Sequence, residues 1–160
     1  TMSTVKKVWN VVSTVLVALV VLLALLLVGA RVFGLRVYTV LSGSMEPTYH
    51  TGSLIYVRKV DPYTIEEGQP ITFMLDENTV ATHRVVGVVQ DEEDPTVIRF
   101  RTKGDANPST DSGSVPYSNV KGKVEKVVLP YFGYAIRFIQ ENYWVLLVIA
   151  GILLLSMIIS

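Results

Sequence analysis

The fold class this sequence predicts is mainly β: a compact antiparallel β-sheet domain flanked by two transmembrane helices. Three observations carry that prediction. Residues 11–30 hold no charged side chain, and Ser13 and Thr14 are their only polar ones. Residues 143–159 are likewise uncharged. Between them lies a stretch that carries every acidic residue of the chain, in which short β-branched and aromatic runs alternate with turn residues.

Residues 1–10 read as an N-terminal tail and residues 11–30 as a transmembrane anchor helix. At about 1.5 Å per residue the apolar run reaches roughly 30 Å, the thickness of a bilayer core. A secretory signal also starts with basic residues such as Lys6 and Lys7, and Val28-Gly29-Ala30 offers small residues for cleavage. Cleavable apolar regions run only about 7–15 residues, however, so an uncleaved anchor is expected. Lys6 and Lys7 on one flank and Arg31 and Arg36 on the other leave the orientation nearly balanced. Residues 143–160 read as a second, short transmembrane helix.

The intervening residues 31–142 suffice for one domain with its own core. Strands are expected at residues 36–41, 53–57, 71–75, 79–88, 97–102 and 120–128. Asp76-Glu77-Asn78 is a tight-turn sequence joining the third and fourth as a hairpin. Residues 90–95 form an acidic turn, and residues 105–116, rich in Ser, Asn, Pro, Gly and Thr, a loop. Residues 132–140 read as a short amphipathic helix.

Composition removes several function classes. The 160 residues hold 14 basic and 14 acidic side chains, a net charge of zero. Only Lys6 and Lys7 among the basic residues lie outside the middle segment, which is therefore slightly acidic and lacks the basic patch of a nucleic-acid binder. There is no cysteine, so disulfides and thiolate-bound metals are excluded.

Three polar segments interrupt the apolar strands: Ser42-Gly43-Ser44-Met45-Glu46-Pro47 at a strand end, Thr82-His83-Arg84 within a strand, and Lys103-Gly104-Asp105-Ala106-Asn107 in the polar loop, with Asp111 following. A serine hydroxyl becomes an effective nucleophile only when a base takes its proton. Imidazole suits that task near neutrality. A carboxylate behind the ring holds the tautomer and stabilises the imidazolium. Ser44 at a turn, His83 on a strand, and Asp105 or Asp111 on a loop supply one of each. Taken singly, each segment is also an ordinary turn or a packed strand residue, and spacing along the chain does not prove contact.

The three segments together resemble the conserved boxes of the signal peptidase I family, in family order and behind a membrane anchor. Thr82-His83-Arg84-Val85-Val86 resembles the second box and Thr102-Lys103-Gly104-Asp105-Ala106-Asn107 the third. The common bacterial form carries a lysine base where His83 stands. Histidine there is similar to the endoplasmic-reticulum-type (SipW-like and archaeal) branch, which includes the eukaryotic signal peptidase complex. The resemblance implies a serine endopeptidase that removes signal peptides after small-x-small motifs. It implies Ser44 as nucleophile, His83 as general base, Asp111 as the orienting acid and Asp105 as a builder of the site. It also implies an oxyanion hole from the Ser44 N–H and the Ser42 hydroxyl, and a substrate cleft lined by Val40, Leu41 and Met45. Signal peptides of preproteins and the lipid bilayer are the expected partners, with a membrane protein complex as a further one; no metal or other cofactor is implied. The catalytic domain is expected on the extracytoplasmic face of a plasma membrane, or in the endoplasmic reticulum membrane of a eukaryote. His50, six residues from Ser44 but outside any box, is not expected to be the base. A non-catalytic membrane-anchored β module, and a dedicated processor of a few pilin or matrix proteins, are the alternatives.

Overall fold

A computed structural model describes residues 3–159. Thr1, Met2 and Ser160, at the ends of the expected tail and second span, lie outside the described residues. The chain divides into two units. One comprises the N-terminal helix and the C-terminal helical segment; the other, Gly34–Tyr134, is the β unit.

In the β unit, β1 (Leu35–Thr39), β2 (Leu54–Arg58), β3 (Pro70–Met74), β4 (Val80–Gln90), β5 (Ile98–Lys103), β6 (Val115–Pro116) and β7 (Val120–Leu129) form one antiparallel sheet. The order across it is β1-β2-β7-β3-β4-β5-β6. Every expected strand is present. The two-residue β6 and the 3₁₀ turns Pro62–Thr64 and Tyr117–Asn119 were not foreseen, being too short to produce a periodic signal. β1 stops at Thr39 rather than residue 41, yet Val40 still donates its N–H to the Ser53 carbonyl and accepts from the Gly52 N–H before the chain turns.

β7, last along the chain, sits between β2 and β3 and joins the β1–β2 pair to the rest of the sheet. That insertion demands close approach at Gly122, where a Cβ would lie 2.3 Å from the Arg58 carbonyl oxygen. Two apolar clusters result. One gathers Ile65, Ile71, Phe73, Val85, Phe100 and Val115. The other gathers Met45, Tyr49, Ile55, Val57 and Val124. The turn that follows β1 is therefore part of a core, through Met45 and Tyr49.

In the other unit, α1 (Thr4–Val32) has Ser3 as N-cap, whose side chain accepts the Lys6 N–H. The helix runs past the apolar stretch at both ends and takes in most of the expected tail. It is long and apolar enough to cross a membrane. α2 (Phe132–Glu141) and α3 (Trp144–Ile159) meet at 90°. The 16 residues of α3 reach about 24 Å, less than the roughly 30 Å of a hydrocarbon core. The helix expected at residues 143–160 thus exists, but by length only α1 qualifies alone as a span; α2 and α3 qualify only as one bent pair.

Phe100 is fully buried, so Phe100→Ala should destabilise the β unit by about 3–5 kcal/mol. The exposed Val127→Ala should cost no more than about 0.5 kcal/mol. Denaturant unfolding of both variants checks the pair.

Candidate active site

The site starts from the turn after β1. Ser42 and Gly43 end the strand signal, and the Glu46 N–H closes a turn on the Gly43 carbonyl at 3.1 Å. Met45 is 2% exposed and plugs this turn into the second apolar cluster. The Ser44 carbonyl accepts the Ala106 N–H at 2.9 Å. Ser44 is thus fixed on both sides, by its neighbour's side chain and by its own carbonyl. Its Oγ lies 3.1 Å from Ser42 Oγ and 3.1 Å from His83 Nε2.

β4 delivers two consecutive residues to opposite faces, as the pleat requires. His83 stands opposite Ile71 of β3, shares its face with the core residue Val85, and is edge-on to Phe73 with ring centres 6.2 Å apart. Its Nδ1 lies 2.5 Å from Asp111 Oδ2. Arg84 turns the other way and holds Asp105 with two hydrogen bonds, Nε to Oδ1 at 2.9 Å and Nη2 to Oδ2 at 2.7 Å. Its Nη1 also donates to the Gly68 carbonyl.

The two aspartates therefore do different work. Asp111 faces the ring of His83. Asp105 does not; it receives Arg84 and the Thr48 hydroxyl, the latter at 2.6 Å, and its N–H points at Met45 Sδ. The Arg84 guanidinium, followed by the Thr48 hydroxyl, holds the Asp105 carboxyl below the usual carboxylate range, and Asp105 in turn raises Arg84. Gly104 permits the close approach of this loop to the serine turn: a Cβ there would lie 2.6 Å from the Ser44 carbonyl oxygen. The phenol of Tyr49 is raised first by burial, with Arg84 opposing.

A cleft of about 730 Å³ opens beside Ser44 and His83. Its walls come from β1 and the residues after it, from the β3–β4 hairpin and from residues 111–116. Val40, Leu41 and Met45 all border it, but unequally. Leu41 is 62% exposed, Val40 is half-buried, and Met45 is core, reaching the cleft only as part of its floor. His50 is turned away: its Nδ1 pairs with Glu46 Oε2, and its side chain is 66% exposed. Thr48 and Thr102 were not foreseen as site residues. Thr102 Oγ1 donates to Asp111 Oδ2 at 2.8 Å, but a lone threonine in a strand carries no signal of that, since threonine is a common strand residue. Among the described residues no group of His, Cys, Asp or Glu could hold a metal ion.

The Arg84–Asp105 pair generates a pH prediction. Because the folded Asp105 carboxyl titrates below its unfolded value of about 3.9, its contribution is complete above that value and is lost as pH falls through the folded one. Asp105→Asn should therefore cost about 1–3 kcal/mol of stability at pH 7, and the gap to wild type should narrow below about pH 4. Urea unfolding of both proteins across that range measures it.

Comparison with known proteins identifies the family. The family described as signal peptidase, peptidase S26, matches residues 11–92, a stretch that includes Ser44 and His83. The chain is 37% identical over 133 residues to signal peptidase I W of Bacillus subtilis, covering 78% of this chain and 68% of that protein. It is 34% identical over 116 residues to the human signal peptidase complex catalytic subunit SEC11C, covering 67% of this chain and 58% of the human one, so it spans less than two thirds of that relative. A third relative, the signal peptidase complex catalytic subunit SEC11 of Komagataella phaffii, is 29% identical over 130 residues, 75% of each chain. With a match over half of its length and a relative of this similarity, the chain belongs to the signal peptidase family of serine peptidases, peptidase S26.

Proposed function

We propose that this chain is a membrane-anchored endopeptidase that removes N-terminal signal peptides from secretory preproteins, with Ser44 as nucleophile, His83 as general base and Asp111 as the orienting carboxylate. The observation that carries the reading is the continuous chain from Asp111 Oδ2 to His83 Nδ1 at 2.5 Å and from His83 Nε2 to Ser44 Oγ at 3.1 Å. Asp111 accepts the Nδ1 proton, which leaves Nε2 as the ring's acceptor. Ser44 then donates to Nε2, and the Ser42 hydroxyl is free to donate to Ser44.

The chemistry follows from those directions. Ser44 Oγ bonds to the scissile carbonyl carbon as its proton passes to His83 Nε2, and Asp111 stabilises the imidazolium so formed. The oxyanion is received by the Ser44 N–H and the Ser42 hydroxyl. Collapse of the tetrahedral intermediate breaks the C–N bond, and His83 returns the proton to the departing amine. A water molecule, deprotonated by His83, then releases the signal peptide from Ser44. Asp105 touches none of the reacting atoms; it holds the loop in place through Arg84 and Thr48.

The cleft suits a peptide laid in extended form along β1, which is an edge strand of the sheet. Val40 and Leu41 border the path, and Met45 closes its floor, favouring small side chains before the scissile bond. α1 serves as the membrane anchor. α3 enters the bilayer as a second apolar segment: the Trp9 indole N–H near the start of α1 donates to Ser156 Oγ near the end of α3, at 2.6 Å. The catalytic domain then works on the extracytoplasmic face. Two relatives are named as catalytic subunits of a signal peptidase complex, which favours membrane protein partners here as well.

The reading is tested with purified full chain in detergent and a preprotein whose cleavage site is preceded by small-x-small residues. Ser44→Ala and His83→Ala should each lower kcat by about 10³-fold or more, and Asp111→Asn by a comparable factor. Undiminished cleavage by Ser44→Ala or by His83→Ala would sink the mechanism.

A further inference from the structure

Thr102 occupies a position that the strand pattern assigns to an apolar residue. It follows Phe100 on the buried face of β5, stands opposite Val85 of β4, and is 2% exposed. A hydroxyl so placed must find a partner or destabilise the fold. Its partner is Asp111 Oδ2 at 2.8 Å, the same oxygen that faces His83 Nδ1. The main chain repeats the connection: the Asp111 N–H donates to the Thr102 carbonyl at 2.8 Å. Residues 104–110 thus leave the end of β5, the chain returns to Thr102, and Asp111 is clamped there twice.

We infer that Thr102 is a positioning residue for the proteolytic reaction, its hydroxyl holding Asp111 Oδ2 against His83 Nδ1. The inference rests on the Ser44–His83–Asp111 reading given above. The main-chain bond alone fixes where Asp111 begins, not where its carboxylate ends. The terminal torsion of an aspartate is broad and roughly two-fold, so a carboxylate without a second donor loses orientation that His83 needs. The hydroxyl supplies that donor from a rigid strand, and its own rotamer is restricted by β-branching and by burial.

The test uses the full chain in detergent, the same preprotein probe, and low-field proton NMR of the resting enzyme. Thr102→Val keeps the shape and the main-chain bond and removes only the hydroxyl. We expect kcat to fall by about tenfold or more, the effect of one hydrogen bond to a charged carboxylate, with KM and melting temperature little altered. Thr102→Ser should recover most of the loss. The His83 Nδ1 proton signal should shift or broaden in Thr102→Val and return in Thr102→Ser. If Thr102→Val fails to fold, Thr102→Ala replaces it with the same expected pattern. A Thr102→Val enzyme with wild-type kcat and an unaltered signal overturns the inference, as does a folded Thr102→Ser enzyme as slow as Thr102→Val. Asp111→Asn separates the two levels. If it is inactive while Thr102→Val is unimpaired, only the role of Thr102 falls; if it cleaves like wild type, the three-residue mechanism fails and takes this role with it.

Discussion

The pleat of β4 is the constraint on which the site depends. Because neighbouring strand residues face opposite ways, His83 and Arg84 reach the two ends of one loop from two sides. His83 meets Asp111, and Arg84 meets Asp105. A slip of one residue in the β3–β4 register would exchange the faces and put a guanidinium where the imidazole now stands. That register is held by a regular ladder from Pro70–Arg84 to Met74–Val80, and the irregularity against β5 begins only after Val85. Precision at the serine is thus inherited from hydrogen bonding in the sheet.

The polar groups around Ser44 are divided between two tasks. The ion pair of Arg84 and Asp105, joined by the Thr48 hydroxyl, forms a charge-assisted cluster that holds the loop to the serine turn. Asp111 is left without a guanidinium partner; its carboxylate receives Thr102 and faces His83. A cation bound directly to Asp111 would compete with His83 for its carboxylate, so separating the two carboxylates leaves the second one facing the ring. Met45 connects both tasks to the core: it packs under the turn that carries Ser44, and its sulfur meets the Asp105 N–H.

Among the described helices, α1 alone is by itself long and apolar enough to cross a bilayer. The right angle between α2 and α3 places a short apolar helix after an amphipathic one bearing Tyr134, Phe138 and the Arg137–Glu141 pair on exposed positions. Aromatic side chains of that kind favour the boundary between lipid and water.

By itself the sequence determined the strand positions, the long apolar helix and the residue types of the site. Hydrophobic periodicity and turn residues are local signals, and Ser44, His83, Asp105 and Asp111 sit in recognisable segments. Tertiary structure alone decided three things. It placed β7 between β2 and β3, a pairing between distant segments that no local pattern encodes. It separated Asp111, at the ring, from Asp105, at Arg84, although both lie on one short loop. It drew Thr102 and Thr48 into the site. Each of these depends on where a chain segment returns in space. Side-chain chemistry can be read residue by residue, whereas the partner of a side chain is set by the packing of the whole sheet.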